Sequence, residues 1–324
     1  MTSTNEWDPL EKVIVGIADN AKIPDMDASL RTVNYADVRD TSTLPTGRYP
    51  QQVIDEANED LEHFAMFLRG EGVEVVRPEA TDCNYYNYCP RDSVFVHGDL
   101  TLATPMPLRA RKNEYKAFEQ HLGEVSTIDA WQPKTLYNAQ CVGDPDILAL
   151  TEVEPAFDAA NVIRANEDVL YLVSNSGNMQ GARMLQSHLG NRAKVHTLEG
   201  VYSYMHIDST VAFLREGLML LNPSRIKSKD VLPEPFRSWD AIWCPEPADI
   251  GHYPGYCNAS TWINMNLFSV SPNLVALEIH QTALRRELEK HGIDCAMLPI
   301  RHQRTLGGGF HCVTLDLKRR SNGQ

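Results

Sequence analysis

Two rhythms of apolar residues run along this chain. Ile54, Ala57, Leu61, Phe64 and Leu68 recur at three- and four-residue spacing, which predicts an amphipathic helix over Val53 to Leu68. Shorter apolar runs predict strands at Lys12 to Gly16 and at Val73 to Val76, the latter ended by Pro78. Ser93 to Val96 and Leu100 to Ala103 form a hairpin-like pair around Gly98. The same order then returns. Asn113 to Leu122 reads as helix and Val125 to Ile128 as strand. Asn161 to Arg164 and Val169 to Val173 make a hairpin, followed by a helix over Met179 to Leu189 and a strand over Lys194 to Leu198. A further hairpin joins Ser209 to Leu214 with Leu218 to Leu221. The last copy pairs Asn264 to Val270 with Leu274 to Ile279. It continues through a helix over Thr282 to His291 and a strand over Asp294 to Leu298, and reaches a glycine-rich turn before a strand over Val313 to Leu317.

Hairpin, helix and strand therefore recur at intervals of roughly 50–75 residues, which suggests internal symmetry. Four units are clear, and a degenerate fifth falls near Asn222 to Pro245, where no helix is evident. Such units bury their faces against neighbours and can close into a ring. An ordinary mixed α/β domain would show the same alternation, so periodicity alone leaves both architectures open.

The chain has 324 residues, 43% apolar and 23% charged, enough for a large core in one or two domains. Its formal charge of -13 argues against general nucleic-acid binding and mildly favours cationic substrates. No apolar run is long enough to span a membrane, and the first residues do not read as a signal peptide. The seven cysteines lack the paired spacing of a zinc site, and their odd number makes a reducing cytoplasm the expected setting.

Candidate chemistry gathers near the C-terminus. Leu306, Gly307, Gly308, Gly309, Phe310, His311 and Cys312 place one cysteine after three glycines and ahead of a strand. Consecutive glycines cost backbone entropy and are tolerated where a turn needs positive φ or a ligand comes close. If the strand begins here, alternation turns His311 and Cys312 to opposite sides, which makes His311 a poor base for this thiol. A buried structural cysteine is the competing reading for Cys312. His206 and Asp208, two apart in an extended stretch, would share a face: the carboxylate could orient the imidazole or bind substrate beside it. Asp92 and Asp158 are acids in apolar, strand-flanking surroundings. A cationic, guanidinium-like ligand would satisfy them, and so would a salt bridge to Arg91 or Arg164. Tyr85, Tyr86 and Tyr88 either wall a pocket or simply pack, and Cys83 and Cys89 read as bystanders. There is no nucleotide-binding fingerprint and no HExxH.

Read in order, these pieces resemble the arginine amidinotransferases: glycine amidinotransferase, the streptomycin-pathway inosamine-phosphate enzymes and the cyanobacterial toxin-pathway enzymes. The resemblance runs over almost the whole chain. It begins at Asn5 to Glu11 and Val13 to Gly16, and continues through Pro90–Arg91–Asp92, Phe157 to Ala160, and Met205 to Asp208 with Thr210. It then takes in Asn222, Pro223 and Arg225, Met265–Asn266, and Thr305 to Cys312, and ends on the basic tail Lys318 to Arg320. It implies a pentein fold, an α/β propeller of five blades with pseudo-fivefold symmetry and a central active-site channel, with residues 1–324 forming a single catalytic domain. By motif match Cys312 is the nucleophile, His206 the acid–base, and Asp158 and Asp208 its acidic partners. Asp92 is a further substrate-binding acid, Arg225 grips the donor's α-carboxylate, Ser260 also contacts the donor, and Met205 lines the pocket. The implied reaction moves the amidino group of L-arginine to an acceptor amine through an amidino-cysteine intermediate and releases L-ornithine. It calls for no metal or organic cofactor. Asp92 and Asp158 are expected to hold the guanidinium nitrogens.

Some positions depart from the vertebrate mitochondrial pattern. Ser203 and Tyr204 replace an Asn-Pro pair beside the acceptor's path, Asn161 stands in place of an acid, and Thr81 to Tyr88 is shorter and more aromatic. Glycine is therefore only one of several candidate acceptors, with lysine, a diamine or an amino-cyclitol among the others. With no transit segment ahead of Glu6, the chain reads as a bacterial or otherwise cytosolic relative. An arginine deiminase would share the fold, the thiolate and the covalent step, with water as acceptor. A non-catalytic arginine binder would need the carboxylates but not the thiol. Some relatives are dimers, and a homodimer is one expectation, although no sequence stripe marks an interface.

Overall fold

A computed structural model describes residues 2–128, 133–144 and 146–320. Its strands form five three-stranded sheets and one two-stranded ribbon. Each three-stranded sheet repeats one plan: an antiparallel pair, then a third strand parallel to the middle one. The second blade pairs Val94–His97 with Leu100–Ala103 and adds Ser126–Thr127. The third pairs Val162–Ala165 with Asp168–Leu172 and adds Lys194–Leu198. Val211–Arg215, Leu218–Leu221 and Asp240–Trp243 make the fourth, and Phe268–Ser271, Leu274–Glu278 and Asp294–Leu298 the fifth.

The first blade is closed by the end of the chain. Leu10–Val15 pairs antiparallel with Thr314–Arg319 on one side and parallel with Glu74–Val76 on the other. The C-terminal strand thus belongs with the N-terminal one and not, as its position in sequence suggested, with the last unit. The connection between middle and outer strands is a helix where the sequence allows one. Gln51–Gly70 buries Val53, Ile54, Ala57, Leu61, Phe64 and Leu68 and leaves its polar face in solvent. Met179–Leu189 starts at Asn178, whose side chain accepts from the amide of Gly181. Thr282–Lys290 buries Leu284 and Leu288.

Two connections lack the helix. In the fourth blade Pro233 and Pro235 exclude an α-helix, and tight turns at Lys229–Val231 and Phe236–Ser238 take its place. Phe236 there packs with Phe213 and Trp239. The degenerate unit of the sequence is therefore the outer part of the fourth blade. In the second blade the expected helix over Asn113 to Leu122 is two 3-10 turns, Glu114–Ala117 and Glu119–His121, separated at Phe118, whose φ is -138°. The apolar spacing was correctly apolar, but consecutive tight turns bury Tyr115, Phe118 and Leu122 without a continuous helix.

What positions the site is the turn ahead of each blade's first strand. Pro90–Asp92, Ala159–Asn161, Ile207–Ser209 and Thr261–Met265 are all 3-10 turns, and each packs against the next. The loop after Gln303–Leu306 leads into the C-terminal strand in the same way, and that strand packs back on Pro90–Asp92. These turns form an inner ring, so residues far apart in sequence meet at its centre. Beneath it lies a buried ionic hub. Arg164 donates to Glu6 at 2.7 and 3.0 Å and to Asp316 at 2.7 Å, while Arg91 reaches Asp316 at 2.7 Å. The hub therefore ties the N-terminal segment, the second and third blades and the closing strand together.

Candidate active site

The cysteine turn shows why three glycines are needed. Gly307 has φ +83°, which a residue with a Cβ rarely adopts. A Cβ on Gly308 would lie 2.5 Å from Cys89 Sγ, and one on Gly309 would lie 2.7 Å from Asn266 Cβ. The close approach at Gly308 and Gly309 is by the protein itself. Asn266 then fastens the turn: its Oδ1 accepts from the amides of His311 at 2.9 Å and Cys312 at 3.1 Å. Phe310 is anchored from the outside by an edge contact to Phe64, 4.7 Å between ring centroids.

Cys312 is buried at the floor of a cavity of about 420 Å³. Its sulfur lies 3.1 Å from Asp208 Oδ2, with the thiol of Cys89 as its neighbour across Gly308. The Cys89 thiol, burial, and the carboxylates of Asp208 and Asp92 hold the thiol well above its ordinary range, so it carries its proton in the free protein. Cys89 is thus no bystander. Neither Cys89 nor Cys83 lines the cavity itself, and Cys83 faces a separate pocket beside Asn84 and Glu114.

His206 also faces the cavity, at the start of the Ile207–Ser209 turn. Its Nε2 lies 2.9 Å from Asp158 Oδ2 and its Nδ1 3.9 Å from Asp92 Oδ1. Burial opposes the imidazolium, but Asp92, Asp158 and Asp208 outweigh it and push the group up to about 9. At neutral pH His206 is therefore a proton donor. Asp208 does not orient it. The 206–209 segment is a turn and not extended, so Asp208 points instead to Cys312 and His311. Burial works against the ionised Asp208 too, yet the hydrogen bond and charge of His311 hold it well below the ordinary carboxylate range.

Of the expected site residues, Asp92, Asp208, Arg225, Ser260 and Met205 line the cavity beside Cys312 and His206. Asp158 does not: it is fully buried behind His206, and burial raises it despite the imidazole's pull. Its Oδ2 meets the imidazole, and its Oδ1 has no hydrogen-bond partner among the described residues. Asp92 presents Oδ1 with no hydrogen-bond partner among the described residues. Its Oδ2 is held at 2.7 Å by Arg111, not by Arg91 or Arg164, both of which are spent in the hub. Arg225 is fixed by Ser209 and Thr210 and lies 3.5 Å from the centroid of the Tyr202 ring. Tyr85 and Tyr86 wall the cavity and stack against Arg111, whereas Tyr88 does not line it and donates to the Gly308 carbonyl.

Sequence reasoning missed Arg111, Cys89 and the role of Asn266. Nothing local marks Arg111, since its meaning is its pairing with Asp92. Asn266 was visible only as a motif letter. His311 and Cys312 do not sit in a strand, which starts at Thr314. Both end on the same Asp208 oxygen, at 3.1 Å each, so the alternation argument does not apply to them. His311 nonetheless lies outside the cavity that Cys312 faces.

Comparison with known proteins places this arrangement. The chain is 43% identical over 333 residues to inosamine-phosphate amidinotransferase 1 of Streptomyces glaucescens, covering 97% of this chain and 95% of the relative. It is 34% identical to the L-arginine:L-lysine amidinotransferase of Pseudomonas savastanoi pv. phaseolicola, covering 98% and 94%. The solved structure of the inosamine-phosphate amidinotransferase StrB1 of Streptomyces griseus superposes with a TM-score of 0.94 at 41% identity, covering 99% and 97%. No family model matches the chain. The chain belongs to the arginine amidinotransferase family, with the pentein fold, and is an amidinotransferase. Among the described residues no helix is long and apolar enough to cross a membrane.

Proposed function

We propose that this protein transfers the amidino group of L-arginine to a primary amine, with Cys312 as nucleophile and His206 as acid and then base. The observation that carries the reading is the convergence of a buried thiol, a protonated imidazole and two carboxylates, Asp92 and Asp208, on one cavity. A guanidinium entering it meets the unpartnered Oδ1 of Asp92 and the carboxylate of Asp208. Its charge offsets the two carboxylate influences that keep Cys312 protonated, so on substrate binding the thiol proton passes to solvent through the cavity mouth and the thiolate forms. Arg225 holds the α-carboxylate, supported by Tyr202 behind it, with Ser260 and Met205 beside the donor.

The thiolate attacks the guanidinium carbon and forms a C–S bond. The bond from that carbon to the arginine side-chain nitrogen breaks, the nitrogen takes the proton of His206, and L-ornithine leaves. Asp158 keeps the imidazole aimed through this step. The acceptor amine then gives a proton to neutral His206 and attacks the same carbon. The C–S bond breaks, and thiolate and guanidino product separate. The steps need the thiol, the imidazole and the carboxylates and call on no cofactor.

Relatives at 43% identity are named for inosamine phosphates and one at 34% for L-lysine, so these amines head the acceptor panel, with glycine after them. Product analysis after incubation with L-arginine, with and without each amine, tests the reading. Ornithine together with a new guanidino compound, dependent on one amine, is expected. Citrulline formed without any amine would make the protein a hydrolase. Cys312→Ser should retain the fold and lose transfer by at least about 10³-fold, and near-wild-type turnover by that variant would overturn the assignment.

A further inference from the structure

A second histidine, His311, adjoins Cys312 and lies outside the cavity. Cys312 Sγ and His311 Nδ1 each lie 3.1 Å from the same oxygen, Asp208 Oδ2. His311 Nε2 lies 3.4 Å from Glu6 Oε2. Glu6 in turn is fixed by Arg164 at 2.7 Å and Arg91 at 3.5 Å, and Arg91 Nε also grips the His311 carbonyl at 2.8 Å. A buried line thus runs from the sulfur through Asp208 and His311 into the ionic hub. The charged and titratable groups around His311 are Asp208, Cys312, Glu6 and Arg91, with Arg164 and Asp316 beyond Glu6.

An ionised Asp208 by itself would oppose a thiolate 3.1 Å away. A proton on His311 would sit between Asp208 and Glu6 and offset that charge. His206 acts on Asp208 through charge alone, because its nitrogens are turned to Asp158 and Asp92 and it does not hold the Asp208 oxygen. We infer that His311 is a positioning residue for the nucleophile: by holding Asp208 Oδ2 and offsetting its charge, it sets how readily Cys312 gives up its proton. Glu6 is the brace that keeps His311 in place. The inference deepens the proposed reaction and rests on Cys312 being its nucleophile, yet it concerns a property of the free protein.

The test therefore uses no substrate. Alkylation of Cys312 by iodoacetamide is followed against pH, with mass spectrometry of the Cys312 peptide separating it from the other six cysteines. His311→Asn keeps a donor near the Nδ1 position and removes the titratable ring. Its alkylation midpoint is expected to rise by about one pH unit, a roughly tenfold slower reaction at neutral pH. The midpoint should rise further in His311→Ala. Glu6→Gln, which leaves the cysteine turn untouched, should move it in the same direction by less. Circular dichroism melts confirm folding, and where transfer is measurable the KM for L-arginine should stay within about twofold while kcat falls. A midpoint unmoved in both His311→Asn and Glu6→Gln would overturn the inference. A protein that alkylates as expected but makes no guanidino product would instead overturn the proposed function.

Discussion

At the scale of single residues, the site divides its acids by environment. Asp158 is sealed behind His206, Asp208 is braced by His311, and Asp92 is half-committed to Arg111 with one oxygen open. Three carboxylates of one chemical kind thus meet an imidazole, adjoin a thiol and, in the proposed reaction, receive a cation. The pH dependence follows from His206. Its acid form is present below about 9 and is lost as pH rises through that value, so the single-turnover release of ornithine should decline on an alkaline limb near pH 9. Asp158→Asn removes one of the influences that raise His206. In that variant the limb should move to lower pH and the rate should fall by about 10²–10⁴. An unmoved limb in rapid-quench measurements would separate His206 from the titration.

At the scale of elements, the turns before the first strands carry the residues of the proposed site, and the blades hold them in place. The cysteine turn is the clearest case. Gly309 leaves no room for a side chain against Asn266, which anchors the amides of His311 and Cys312. Gly309→Ala should push Asn266 away and loosen both bonds. The expected result is a loss of about 1–3 kcal/mol in urea unfolding and at least a tenfold drop in Cys312 alkylation or turnover. Unchanged stability and rate would mean that the turn can shift at no cost. The glycine run was legible in sequence as a constraint, but its cause was not, because Cys89 and Asn266 approach from distant parts of the chain.

At the scale of the whole molecule, ring closure depends on the chain's two ends meeting. Leu10–Val15 pairs with Thr314–Arg319, and the Glu6–Arg164–Asp316 hub lies just inside that seam. Arg164 also bonds Ser3 and the carbonyl of Val96, so it joins the seam to the second and third blades. Arg164→Ala removes the guanidinium that Glu6 and Asp316 share, leaving Asp316 to Arg91 and Arg319 and Glu6 to the longer contact with Arg91, and should cost about 3–5 kcal/mol, read as a lower urea midpoint. Arg164→Met, which fills the space without the charge, should be no more stable while Glu6 and Asp316 remain.

Sequence by itself determined the elements and the chemical vocabulary. Apolar periodicity marked the helices Gln51–Gly70, Met179–Leu189 and Thr282–Lys290 and most hairpins, because helix and strand faces are local repeats of three to four or two residues. The ordered motifs named Cys312, His206 and the acids, and through resemblance the propeller. It found no helix near Pro233 and Pro235, as observed, but failed at Asn113 to Leu122, where a run of tight turns replaced a helix, and at the last strand, whose partner lies near the other end of the chain. Only the tertiary structure decided who meets whom: Arg111 with Asp92, Asp158 behind His206, Cys89 beside the nucleophile, and His311 with Cys312 on Asp208, more than a hundred positions away in sequence. Such pairings are set by the closure of the ring, which brings equivalent turns of successive blades to one centre, and no local pattern encodes that distance.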